Sequence, residues 1–286
     1  MKRLLRTILC AALLAAFVVS AVAEETAVFF GAEVPRDAEV LTLDGVALSD
    51  TEFAALPETV AAFPNLKTLE LLHTGRTNEE LAELNEKLGN VRVVWTVKMG
   101  KLWELRTDEK YFSTKHSSQK RHEKTRLKTE DIQVLQYCTD LEALDLGHHS
   151  ITDISVLANL KKLRILICID NRVSDLSPLA ELPELEYLEL FLLRVTDLSP
   201  LADHPKLKHL NLAHNRLKNS DLSPLYTLTG LERLWINSCG LTKQQQQDLK
   251  TALPDTRMEF KEYDSTGAGW RTGEVYQNLR EIFQYG

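Results

Sequence analysis

The chain lacks the patterns on which covalent chemistry usually depends. It has no glycine-rich phosphate loop, no nucleophile elbow and no Cys-x-x-Cys pair, so nucleotide, acyl-transfer and dithiol chemistry are not indicated. Eight histidines are present, but none meets zinc-ligand spacing. Asp145 and Glu189 have no acid–base partner in view. The expectation is a protein that is not an enzyme and needs no cofactor and no metal. An excess of positive charge is also missing, with 34 basic residues against 41 acidic ones. That balance argues against nucleic acid and against an anionic membrane as partners.

Cysteine is scarce. Of four, Cys10 lies in the apolar start, which leaves Cys138, Cys168 and Cys239. An odd number in a secreted chain first suggests a bridge plus a reactive thiol. The repeat register described below instead puts all three at core positions, where a free cysteine acts as a small hydrophobe. Cys168 and Cys239 fall three rungs apart, roughly 14 Å at the strand spacing, beyond disulfide reach. All three are expected as thiols.

What is present begins with Lys2, Arg3 and Arg6, an apolar run from Thr7 to Ser20, and Ala21-Val22-Ala23 before Glu24 and Glu25. Residues 1–23 read as a secretory signal peptide. An uncleaved anchor is the alternative, because the run is close to the ~17-residue lower limit for a span. Without its three basic residues the chain holds 31 basic against 41 acidic residues, a net charge of −10. After cleavage no stable membrane span is expected, and the protein is expected outside the cell or at its surface. No sorting motif or wall-binding repeat is visible.

Residues 141 to 253 carry one leucine pattern five times. Leu141, Leu144 and Leu146 open it. Leu163, Leu166 and Cys168 follow, then Leu185, Leu188 and Leu190, then Leu207, Leu210 and Leu212, each a step of 22 residues. Leu231, Leu234 and Ile236 come 24 residues on. Alternation by two sends Leu188 and Leu190 inward and Tyr187, Glu189 and Phe191 outward. A turn position holds His149, Asn171, Leu193, Asn215 and Cys239, and Asn there is suited to bonding nearby backbone groups. The phrase Asp-Leu-Ser-Pro-Leu then recurs at 175–179, 197–201 and 221–225, where Ser-Pro favours a tight turn or short helical start. Leu160, Leu182 and Leu228 close the core on the far side.

A period of 20 to 29 residues headed by L-x-x-L-x-L is the leucine-rich-repeat signature. The wording resembles the 22-residue class of bacterial internalin-like surface proteins over about 110 residues. That resemblance implies an α/β solenoid with a parallel sheet on the concave face and short 3-10 or helical turns on the convex face. It also implies a protein-binding role, with no particular partner.

The remaining chain is read in four further parts. Residues 24–36 look like a flexible leader. Residues 37–128 form a divergent, repeat-like α/β region, or alternatively a separate small domain. Its strands are expected at 40–43, 66–71 and 91–97, and its helices at 50–62 and 78–88. Within it, Lys115 to Lys128 is a basic run with one acid, Glu123, which offers a contact for wall polymer or polyanionic glycan. Regular repeats fill 129–253, and 254–286 is expected to cap the array.

The outward strand positions carry the candidate site. Ile165, Ile167 and Ile169 sit beside Tyr187, Phe191, Leu192, His209 and Trp235. A contiguous apolar surface with aromatics is typical of interaction sites. Four readings stand here: a protein partner binds this face, the chain's own leader or tail covers it, two copies meet through it, or the surface is neutral. The oligomeric state does not follow from the sequence.

Overall fold

The structure is a computed structural model and describes residues 25–114, 126–261 and 274–284. It opens with a hairpin, β1 (Thr26–Phe29) and β2 (Ala32–Pro35). This hairpin lies within residues 24–36, the stretch expected as a flexible leader. The physical reason for the hairpin lies in the turn and in one buried ring. Phe30 and Gly31 both adopt positive φ, which suits a tight two-residue hairpin turn. Phe29 packs edge-on against Phe63, 6.2 Å between centroids.

A four-stranded sheet follows in the order β3 (Val40–Asp44), β4 (Thr68–Leu72), β5 (Arg92–Met99), β6 (Trp103–Arg106). The first three strands are parallel and β6 is antiparallel to β5. Helices α1 (Asp50–Val60) and α2 (Asn78–Leu88) connect them. Each starts with a full capping box, Ser49 with Glu52 and Thr77 with Glu80, which satisfies two otherwise orphaned N–H groups per helix.

A seven-stranded, all-parallel sheet then runs β7 (Tyr111–Ser113), β8 (Ala143–Asp145), β9 (Ile165–Ile167), β10 (Tyr187–Glu189), β11 (His209–Asn211), β12 (Arg233–Trp235) and β13 (Arg257–Glu259). Its register pairs Leu144, Leu166, Leu188, Leu210 and Leu234 rung by rung. All five are fully buried. On the convex side the Asp-Leu-Ser-Pro phrases become 3-10 turns at Ser177–Glu181, Ser199–Leu201 and Ser223–Thr227. Each turn is started by an aspartate that accepts from the serine N–H, as Asp175 does from Ser177 at 2.8 Å. Helix α3 (Lys243–Ala252) replaces the turn in the last repeat. One contiguous core extends from Phe29 to Leu253. Cys138, Cys168 and Cys239 are buried in it and unbridged. Burial pushes their thiols up, to about 12, 12 and 11.

A left-handed backbone position marks the turn of seven rungs. Gly45, His73, His148, Asp170, Leu192, His214 and Ser238 all have positive φ, and each lies four residues after the paired strand residue of its rung. Non-glycine residues adopt this conformation only when the surroundings impose it. Here the N–H at the turn is tied to the next rung: His148 to Ile169 O at 2.7 Å, Asp170 to Phe191 O at 3.0 Å, Leu192 to Ala213 O at 3.0 Å. The first two rungs thus share a turn geometry with the regular repeats despite their longer period.

His73 occupies this turn in the second rung and bridges Asp44 and Glu104, 2.8 Å to each. The hydrogen bond to Asp44, then the charge of Glu104, raise its pKa above the ordinary value, against a desolvation effect that lowers it. A raised pKa stabilises the fold below the unfolded value of ~6.5, and this contribution fades as pH climbs through the folded value. His73→Asn tolerates the left-handed turn but does not titrate. The difference in denaturation midpoint between the two proteins is expected to be largest below pH ~6 and to shrink toward pH 8. A pH-independent difference would remove the titrating role. The effect is small because the side chain is about half exposed and screened.

Candidate functional site

The concave surface is built from the outward positions of β8 to β12. A ladder of buried polar side chains at its exit edge holds those positions. Asn171 Nδ2 donates to Leu146 O at 2.8 Å, and its Oδ1 accepts from Ile151 N at 3.0 Å. Asn215 repeats the arrangement with Leu190 O at 2.8 Å and Val195 N at 3.3 Å. His149 stands in the same column, where Nδ1 accepts from Leu127 N at 3.2 Å and Nε2 meets Thr114 Oγ1 at 2.8 Å. Backbone groups that leave the strand ladder would otherwise be buried without partners.

The eight candidate residues fall into three places. Ile165, Ile167, Ile169 and Tyr187 form one cluster with Ala143 and with a segment from the far end of the chain. That segment is α4 (Glu274–Ile282). It presents Val275, Leu279, Ile282 and, just past its end, Phe283, an i, i+4, i+7, i+8 stripe typical of a helix packed on one face. Ile167 is 6% exposed and Tyr187 4%. Cover by the chain's own tail was one of the readings the sequence left open for this face, and part of the segment expected as an end cap does lie across the concave strands. A helix with one apolar stripe and no other surface to bury it against finds its complement in the isoleucine column.

The second place lies lower on the same face. His209 sits between Tyr187 and Trp235, with ring centroids 5.9 and 6.4 Å away. Burial pushes its pKa down despite Glu232. Trp235 is buried under the guanidinium of Arg233, 4.4 Å from the ring centre. The third place is the exit edge. Phe191 is half-buried and meets His214 edge-on at 5.0 Å, and Leu192 is 43% exposed at its left-handed turn. Leu192 there borders a cleft of about 740 Å³ that is also lined by Arg126, Arg172, Arg194 and Arg216. Arg126 belongs to the basic run 115–128 already read from the sequence, whereas sequence reasoning overlooked Arg172, Arg194 and Arg216. Their signal was readable as an arginine directly after the turn column, at Asn171-Arg172, Leu193-Arg194 and Asn215-Arg216. The basic stretch at 115–125 lies outside the described residues.

Among the described residues no group of three or more His, Cys, Asp or Glu is placed to hold a metal ion. What the surface offers is shape, apolar area and local charge.

These features define a leucine-rich-repeat solenoid. No family model matches the chain, and comparison with curated proteins finds no relative. Among solved structures it is similar to internalin C2 of Listeria monocytogenes, with 22% identity, a TM-score of 0.40, and coverage of 79% of this chain and 85% of that one. Internalin F of the same organism gives 20% identity, a TM-score of 0.40, and coverage of 81% and 84%. A leucine-rich-repeat protein of Leptospira interrogans gives 16% identity, a TM-score of 0.41, and coverage of 77% and 60%. These are likenesses of fold and of nothing further.

Proposed function

We propose that the chain is a secreted or cell-surface, non-catalytic protein-binding module whose concave face receives an apolar helical segment. The observation that supports this reading is α4 itself. The chain's own helix is seated on Ile165, Ile167, Ile169 and Tyr187 through Val275, Leu279, Ile282 and Phe283, so the surface has the dimensions and chemistry of a helix-receiving groove. A protein partner would displace α4, and its apparent affinity would fall by the fraction of molecules in which the groove is open. Secretion is argued from residues 1–23, which lie outside the described residues. Among the described residues no helix is long and apolar enough to cross a membrane.

The test frees the groove without altering it. Leu279→Asp combined with Phe283→Asp should eject α4 and leave the repeats folded, because both side chains belong to the small cluster on the concave face rather than to the main core. A labelled synthetic peptide spanning residues 272–286 serves as the probe, read by fluorescence anisotropy. The variant should bind it about tenfold or more tighter than the native chain, in which the tethered helix competes. A variant that melts normally yet binds the peptide no better than the native chain would refute the groove.

A further inference from the structure

The cleft at the exit edge has a charge arrangement unlike the rest of the sheet. Arg172, Arg194 and Arg216 each lie six residues after the paired leucines Leu166, Leu188 and Leu210, so they stand on three successive rungs. Arg126 belongs to the same column. The bond from Ser150 N to Leu127 O at 2.9 Å repeats the bond from Arg172 N to Ile151 O at 2.8 Å, which places Arg126 beside Ser150. All four arginine side chains are exposed and line one cleft. Among the described residues none of the four makes an ion pair.

The opposite, strand-entry edge shows what this chain does with charge when only stability is at stake. There the cations are neutralised from rung to rung. Arg164 meets Glu186 at 2.9 Å, Lys162 meets Asp140 at 2.5 Å, Lys110 meets Glu142 at 3.0 Å and Lys206 meets Glu184 at 2.6 Å. Like charges on adjacent rungs repel. A column of four guanidinium groups, none of them in an ion pair among the described residues, in a chain with a surplus of acids, is set up to take counter-charge from outside the fold. Asp170 is the one acid lining the cleft, and His148 holds it at 3.0 Å.

We propose that this column is a binding site for a linear anionic polysaccharide bearing carboxylate or sulfate groups, lying across the rungs. Guanidinium is suited to both groups, because its fork of N–H donors matches two oxygens at once. Successive rungs are about 4.8 Å apart, so the charges of Arg172, Arg194 and Arg216 recur at an interval comparable to one sugar unit, with Arg126 one rung further beyond Ser150. An extended acidic peptide repeats its same-face carboxylates only every ~6.7 Å, a poorer match. The exposed Leu192 side chain among the arginines offers apolar contact for the C–H face of a sugar ring, and Thr196 and Asn171 line the same cleft as polar side chains. This site is separate from the groove under α4 and does not depend on it.

The test uses the full chain and four probes: immobilised heparin, soluble polygalacturonate, poly-L-glutamate and inorganic sulfate. Arg172→Gln, Arg194→Gln and Arg216→Gln are combined in one protein, and the same positions are changed to Lys in a second. The native chain should bind both polysaccharides, with affinity falling steeply as salt rises. The glutamine triple should lose about a hundredfold or more in affinity at unchanged melting temperature, at roughly tenfold or less per charge-assisted contact. The lysine triple should recover only part of this, since it restores charge without the fork. Four results would overturn the proposal: no binding of either polysaccharide by the native chain; equal binding by the glutamine triple; poly-L-glutamate bound as tightly as the polysaccharides; or loss of binding confined to Lys120→Gln/Arg121→Gln/Lys124→Gln. Competition by millimolar sulfate alone, with no length dependence among glycan fragments, would reduce the site to one for a simple anion and count against it as well.

Discussion

Leu188→Ala is expected to lower stability by about 2 to 5 kcal/mol, and Leu188→Asp to abolish the cooperative melt of the array. Leu188 is fully buried in β10, the central strand of the seven-stranded sheet. It pairs with Leu166 on one side and Leu210 on the other. Truncation removes apolar contacts to both neighbours and leaves a cavity that paired strands on both sides prevent from collapsing. A carboxylate at that position has no partner within the leucine column, and an unpaired buried charge costs several kcal/mol. In a solenoid each rung is stabilised mainly by the next, so a broken middle rung uncouples β7–β9 from β11–β13. Chemical denaturation followed by circular dichroism is the measurement. A cooperative Leu188→Asp protein with a native midpoint would mean that Leu188 does not face the core.

How far the sequence carried the fold can be judged from this same column. The 22-residue period marks Leu144, Leu166, Leu188, Leu210 and Leu234 as one inward line, and the structure pairs them in that register. Helix α2 falls at 78–88 as expected, and α1 ends two residues earlier than expected. Local signals sufficed there: a side-chain cap, a leucine every three or four positions, and a periodic strand. Two features escaped, one because composition does not choose a strand's partner and one because its contacts are distant in sequence. Trp103 and Phe112 mark strands, but β6 pairs back onto β5 while β7 opens the other sheet. Nothing in their composition distinguishes those choices. Strand alternation shows that Ile167 leaves the leucine core, and it says nothing about what lies beyond the sheet. The cover comes from Leu279, more than a hundred residues away. The arginine column shows the reverse case. Its residues are plain in the sequence, yet their juxtaposition has meaning only once the rungs are stacked.

Ile167→Asp is expected to release α4 while leaving the repeat core nearly at its native stability. The side chain points away from the leucines and into the cluster with Leu279 and Phe283. A carboxylate there would be buried against four apolar groups of the helix, at several kcal/mol if unpaired. A short helix held by one apolar stripe contributes little more than that, so undocking is the cheaper outcome. Hydrogen exchange should show the amides of residues 279–284 losing protection, while those of β9 and β10 keep theirs. Phe191→Asp provides the contrast. Phe191 is half-buried against His214 rather than under α4, and its change should move stability by no more than about 0.5 to 1 kcal/mol and leave α4 in place. The two substitutions look equivalent from strand alternation alone, and the helix is what separates them. They also divide the binding reading. Leu279→Asp with Phe283→Asp empties an intact groove, which should then take the 272–286 peptide in trans. Ile167→Asp empties a damaged groove, which should not. Peptide binding that survives Ile167→Asp would locate the helix-receiving surface away from the isoleucine column.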